Sequence, residues 1–176
     1  MKSNNIKAIT SLIIFIIFLG AFIGGSTNLI NGYVSPVYFK NIMRWDFEDV
    51  WAASVAQGIF EGLRNGVVFS IIFGIAITLI TRGQTTFRFG LIQLSKITIN
   101  IYLFWIIGGL IALGLATLSP DFYQNKFRMV PTETKEMLAY AWVGGSIWGA
   151  NYGSILSILI GIINARTNWK EINPST

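Results

Sequence analysis

The sequence contains no cysteine and no histidine. That excludes thiolate metal sites, iron–sulfur clusters, disulfides and His-ligated haem or copper. It also removes every catalytic triad or dyad built on His or Cys. Charge is scarce as well. Only 12% of the 176 residues are charged, against about 25% in a soluble domain. No phosphate-cradling or dinucleotide glycine motif opens a helix.

What is abundant is apolar surface. Hydrophobic residues make up 53% of the chain and aromatics 14%, and the mean hydropathy is +0.59. Four apolar runs stand out, roughly Ala8–Val34, Trp51–Thr81, Ile97–Leu118 and Met137–Ile163. Each exceeds the ~20 residues that carry a helix across ~30 Å of hydrocarbon. None alternates with the period of a barrel strand. The first run is too long for a signal-peptide core and no A-x-A cleavage site follows it. The expected fold is an all-α integral membrane protein with four transmembrane helices.

Orientation follows from the loops. Lys2, Lys7, Arg82, Arg88, Lys96, Arg166 and Lys170 fall on one side, with Glu171 the one acid among them. Lys40, Arg44, Lys126, Arg128 and Lys135 fall on the other, among Asp46, Glu48, Asp49, Asp121, Glu133 and Glu136. The positive-inside rule places both termini and the middle loop in the cytoplasm, as in a bacterial inner membrane. The formal net charge of +5 gathers there and favours anionic lipid, at about 1 kcal/mol per cation near the surface. Nucleic acid is not expected as a partner, because no basic run or soluble domain is present to hold it.

Self-comparison reveals an internal repeat. Ser35-Pro36-Val-Tyr38-Phe-Lys-Asn-Ile-Met-Arg44 aligns with Ser119-Pro120-Asp-Phe-Tyr123-Gln-Asn-Lys-Phe-Arg128, an offset of 84. Gly24 and Gly25 match Gly108 and Gly109 at the same offset. Further on, Gly58, Gly62, Gly66, Ser70 and Gly74 match Gly145, Gly149, Gly153, Ser157 and Gly161 at an offset of 87. Residues 1–81 read as one hairpin, 82–96 as a basic cytoplasmic linker and 97–176 as a second hairpin with a short polar tail. Two crossings per unit give the units the same orientation, a parallel repeat.

Small residues at every fourth position let backbones approach closely in lipid. The second and fourth spans carry the same ridge in the same direction and are expected to pack on each other. The ridge drifts about 40° per step, so its two ends are expected to face different helices, one of them the first span at Gly24-Gly25 or a helix of another chain. Each Ser-Pro pair suits the start of a short interfacial helix. The aromatic residues that follow are expected to face lipid at headgroup level, with Arg44 and Arg128 reaching phosphate.

Glu61 and Arg64 are the charges inside an apolar run. Counted from Arg82, Arg64 lies about 27 Å along the helix, near the edge of the ~30 Å core, and Trp148 occupies the position matching Glu61. The two charges are i,i+3 neighbours and are expected to form a partly wet ion pair. Asn151, matching Arg64, is the third candidate for a polar site or partner contact. No catalytic, metal or cofactor residue is assigned. The expected function is a non-catalytic structural or assembly subunit within a larger membrane complex or homo-oligomer. The alternative is a small oligomeric channel or transporter.

Overall fold

A computed structural model describes residues 3–173. Lys2, counted above among the basic residues, and the last residues of the tail, 174–176, lie outside them. Six helices follow one another: α1 (Ser3–Val34), α2 (Pro36–Met43), α3 (Val50–Ile80), α4 (Phe87–Leu118), α5 (Pro120–Lys126) and α6 (Thr134–Ile172). No strand occurs among the described residues. α1, α3, α4 and α6 are long and apolar enough to cross a membrane, and only 11–28% of the most apolar window of each is buried within the chain. So much exposed apolar surface is stable only against a non-aqueous medium or another protein.

Local chemistry explains the boundaries. Ser35 caps α2 by accepting from the Tyr38 N–H, with Pro36 in the first turn. Pro120 plays the same part in α5, although Ser119 makes no capping bond. Asp49 caps α3 by accepting from Ala52 N–H at 2.9 Å. Glu133 caps α6 by accepting from Lys135 and Glu136 at 3.0 and 2.7 Å. α3 ends where Arg82 and Gly83 turn left-handed, φ 50° and 71°. A glycine makes the second of two consecutive positive φ values inexpensive. Residues 87–96 of the basic segment are the first turns of α4, and the polar residues after Ile163 continue α6. No proline interrupts either stretch, and the single glycine, Gly90, sits within the helix where Leu12 packs against it.

The helices pack mainly in two antiparallel pairs, α1 with α3 and α4 with α6, and contacts between the pairs are sparse. This corrects the expectation that α3 and α6 meet along their ridges. A methyl group on Gly58 would strike the Gly24 carbonyl, and one on Gly62 the Gly20 carbonyl. One on Gly66 would meet the backbone of Ile16 and Ile17, and one on Gly74 the side chain of Ile13. Gly145 and Gly149 abut Gly108 in the same way, Gly153 abuts Phe104, and Gly161 abuts Ile97. Gly25 meets Ile59 and Gly109 meets Trp142. The ridges are thus used up within the pairs. Nor do their two ends face different helices: α1 meets the α3 ridge from Gly58 to Gly74, and α4 meets the α6 ridge from Gly145 to Gly161.

Two apolar clusters join the pairs, one at each end. At the end near residues 81–86, Leu12, Ile16, Phe73, Ile77, Ile97, Ile101, Ile158 and Trp169 pack together. At the other, Tyr38, Phe39 and Val50 of the first half meet Ala116, Tyr123, Met137, Tyr140 and Val143 of the second. Tyr38, Phe39 and Tyr123 were expected to face lipid. They are instead 8%, 1% and 3% exposed, because α2 and α5 turn their aromatic sides onto α6 and α4 to close the bundle end. Asn41 Nδ2 reinforces this closure by donating to the Met129 carbonyl at 2.9 Å.

Candidate functional site

Between the two apolar clusters the four long helices do not close completely. They leave a half-open cleft of about 100 Å³ with Thr27, Asn28, Asn31, Glu61, Asn65, Asn151 and Ser154 among its lining residues. A single water needs a small fraction of that volume. Smaller still, an apolar cavity of about 40 Å³ lined by Phe69, Phe73, Leu94 and Ile158 continues from it and shares Gly20, Ile23, Gly66, Phe69 and Ile101 with it.

The cleft wall on α1 is held by specific bonds. Asn28 Nδ2 donates to the Ser54 carbonyl at 3.0 Å, tying α1 to α3. Ser146 Oγ donates to Asn31 Oδ1 at 3.0 Å, tying α6 to α1 across the two pairs. Ser26 and Tyr102 share a 2.6 Å hydroxyl–hydroxyl bond between α1 and α4. Since Ser146 occupies the Asn31 carbonyl oxygen, the Asn31 amide NH₂ is the end left over. Its nitrogen is buried and has no partner, and Asn31 is 0% exposed. The indole N–H of Trp105, which also lines the cleft, is buried and unpartnered too. Trp105 is held edge-on to Trp142, ring centroids 5.6 Å apart at 84°. A buried donor without an acceptor costs several kcal/mol in an apolar medium. Asn31 and Trp105 both border the cleft; the indole N–H groups of Trp142 and Trp169, which do not line it, are buried and unpartnered as well.

The candidates read from the sequence divide. Glu61 and Asn151 both line the cleft. Arg64 does not; it is exposed on another face of α3. The expected Glu61–Arg64 ion pair does not form. Glu61 Oε1 instead accepts from Gln57 Nε2, one turn earlier, at 2.7 Å. An i,i+4 partner lies nearer the same face than an i,i+3 partner whose long side chain extends to the exterior. Asn28, Asn31, Asn65 and Trp105 were missed. Their signal was present: Thr27, Asn28 and Asn31 are three polar residues within five positions of an otherwise apolar span, and polar residues in such spans face the bundle interior.

At the bundle end, burial, followed by the Glu61 carboxylate, raises the Tyr38 phenol above its ordinary 10.0. Burial, followed by Tyr38, pushes Tyr123 up to about 12. Both therefore remain neutral hydroxyls over the physiological range. Arg44 terminates α2 in a left-handed conformation, φ 56°, and the Arg128 carbonyl accepts from the Tyr140 hydroxyl at 2.7 Å. No group of three or more acidic side chains that could hold a metal occurs among the described residues. No family model matches this chain, and neither a curated protein nor a solved structure matches it.

Proposed function

We propose that this chain is a non-catalytic multi-pass membrane protein that binds a small polar solute between two tandem hairpins, as a small channel or transporter. The observation that carries the reading is the pair of buried, unpartnered donors, Asn31 Nδ2 and Trp105 Nε1, on one polar cleft. Glu61, Asn65 and Asn151 supply further polar groups around a solute whose acceptor meets the two donors. Apolar packing of Ile16, Phe73, Ile97 and Ile158 lies beyond the cleft on the side of residues 81–86. Toward that side the cleft narrows into the small apolar cavity that these residues line, a constriction that suits a closed gate. The sequence offsets of 84 and 87 support a tandem parallel repeat, with residues 1–81 and 97–176 as its units. The loop charges support cytoplasmic termini in a bacterial inner membrane, with α2 and α5 at the outer interface and anionic lipid at the inner one.

A second reading keeps the expected subunit of a larger complex. It is favoured by the length of α6, whose 39 residues extend about 58 Å, nearly twice the ~30 Å core. Its ends thus reach well into water, where partners dock.

Purification in mild detergent followed by native mass spectrometry separates the two. The solute-binding reading expects a small molecule retained by the wild-type protein and released from Asn31→Leu, which also lowers the melting temperature by removing the Ser146–Asn31 bond between α6 and α1. A stoichiometric set of larger membrane proteins, with no small molecule dependent on Asn31, would establish the subunit reading instead.

A further inference from the structure

On the flank of the α4–α6 pair, away from the polar cleft, runs a second and larger concavity. It is a groove of about 800 Å³, within the ~300–1,000 Å³ range of ligand pockets. Its walls are apolar along most of its length: Phe104, Ile107, Ile111 and Leu115 on α4, and the glycine face with Leu156 on α6. One end differs. There Tyr38, Tyr123, Tyr140 and Arg128 meet. Arg128 is the one charged residue lining the groove, and no carboxylate lines it.

The tyrosines at this end are not equivalent. The Tyr140 hydroxyl is spent on the Arg128 carbonyl. Tyr38 and Tyr123 are 8% and 3% exposed, yet no described residue accepts or donates a hydrogen bond at either hydroxyl. Two tyrosines with uncommitted hydroxyls and the cationic residue Arg128 therefore line one end of an otherwise apolar slot. Guanidinium and hydroxyl donors together recognise a phosphate.

We propose that this groove seats an anionic phospholipid, with its phosphate at Arg128, Tyr38 and Tyr123 and one acyl chain along the apolar wall that Ile107, Ile111 and Leu115 of α4 and Leu156 of α6 provide. Charge sign decides the headgroup: Arg128, the one charged residue lining the groove, complements an anion, while Glu61, whose carboxylate acts on Tyr38, does not line it. Shape decides the chain. From Tyr140 to Leu156, α6 rises about 24 Å, somewhat more than the ~15 Å of one leaflet's hydrocarbon. A helix from another protein would leave both hydroxyls against its apolar flank and would need an acid placed at Arg128. A phospholipid brings anion and hydrocarbon in the required order. The inference rests on the four helices crossing a membrane and is independent of what the cleft binds.

The test uses the full chain reconstituted into phosphatidylcholine bilayers doped with phosphatidylglycerol, then released into mild detergent for native mass spectrometry. Wild-type protein is expected to retain phosphatidylglycerol in preference to phosphatidylcholine. Arg128→Gln and Tyr123→Phe should each reduce that retention about tenfold, the worth of one hydrogen bond to a charged group. Ile111→Trp, which fills the slot from a position 66% exposed, should abolish it. Lys126→Gln removes a nearby cation that does not line the groove and should leave retention unchanged. Equal retention of the two lipids by the wild type, or equal losses in Lys126→Gln and Arg128→Gln, would overturn the proposal. A protein partner displaced by Ile111→Trp would overturn it too. Tyr123→Phe keeps its shape, so the test survives if the bulkier variant does not fold.

Discussion

At the scale of single residues, Glu133 shows how a charge does structural work without an ion pair. The N–H groups of Glu136 and then Lys135 lower its carboxyl from the ordinary 4.5, by stabilising the carboxylate that caps α6. The sign of the linkage follows: a carboxylate depressed in the folded state contributes stability that is present above pH 4.5 and is lost as pH falls through the lower folded value. A melting series from pH 7 to acid in detergent should therefore show a downward component below pH 4.5 in the wild type. Glu133→Gln should lack that component while melting lower at neutral pH. Identical pH profiles would mean that the cap makes no contribution. Glu61 teaches the complementary lesson. Its neighbour in the i,i+3 sense was legible from the sequence, but which of Gln57 and Arg64 bonds to it depended on the face α3 turns to the bundle.

At the scale of elements, the glycine rows decide how closely helices approach. Their spacing was plain in the sequence, and so was the consequence that backbones would come near contact. The partner was not plain, because a row of small residues is complementary to any other such row. α1 carries Gly20 and Gly24, against which Gly62 and Gly58 fit in antiparallel register, and the short connection through α2 makes α1 the nearest helix available. Gly62→Leu and Gly149→Leu should each lower the melting temperature, through overpacking that typically costs about 1–3 kcal/mol in a medium that gives the lost contact no hydrophobic compensation. Gly114 is the control. A Cβ there meets nothing within 4 Å, so Gly114→Ala should be nearly silent, as should Ile72→Leu. If Gly62→Leu melts like the wild type, the close α1–α3 approach is absent in the membrane.

At the scale of the whole molecule, the two helix pairs are joined by an apolar cluster at either end, with the polar cleft between them. Sparse contact between well-packed pairs is an arrangement that permits one pair to rock against the other, the motion that parallel repeats use for alternating access. Its placement in the bilayer is open to direct measurement. Because the chain has no native cysteine, single cysteines at Lys40 and Gln84 report topology cleanly. Lys40 should react with an impermeant thiol reagent added to intact cells, and Gln84 only after the membrane is opened. Labelling of Gln84 from outside would invert the orientation.

The sequence by itself determined the class of the protein and the limits of its elements. Long apolar runs have one stable form in hydrocarbon, since every backbone amide must be bonded within its own segment. Ser35-Pro36, Asp49 and Pro120 mark helix starts through chemistry local to a few residues. What only the tertiary structure decided was pairing and convergence. Whether α3 lies on α1 or on α6, whether Tyr38 and Tyr123 face outward or inward, and whether Asn31, Trp105 and Glu61 meet at one cleft all depend on contacts between residues distant in the chain. Those contacts follow from which helices fit closest together, and no local pattern encodes that.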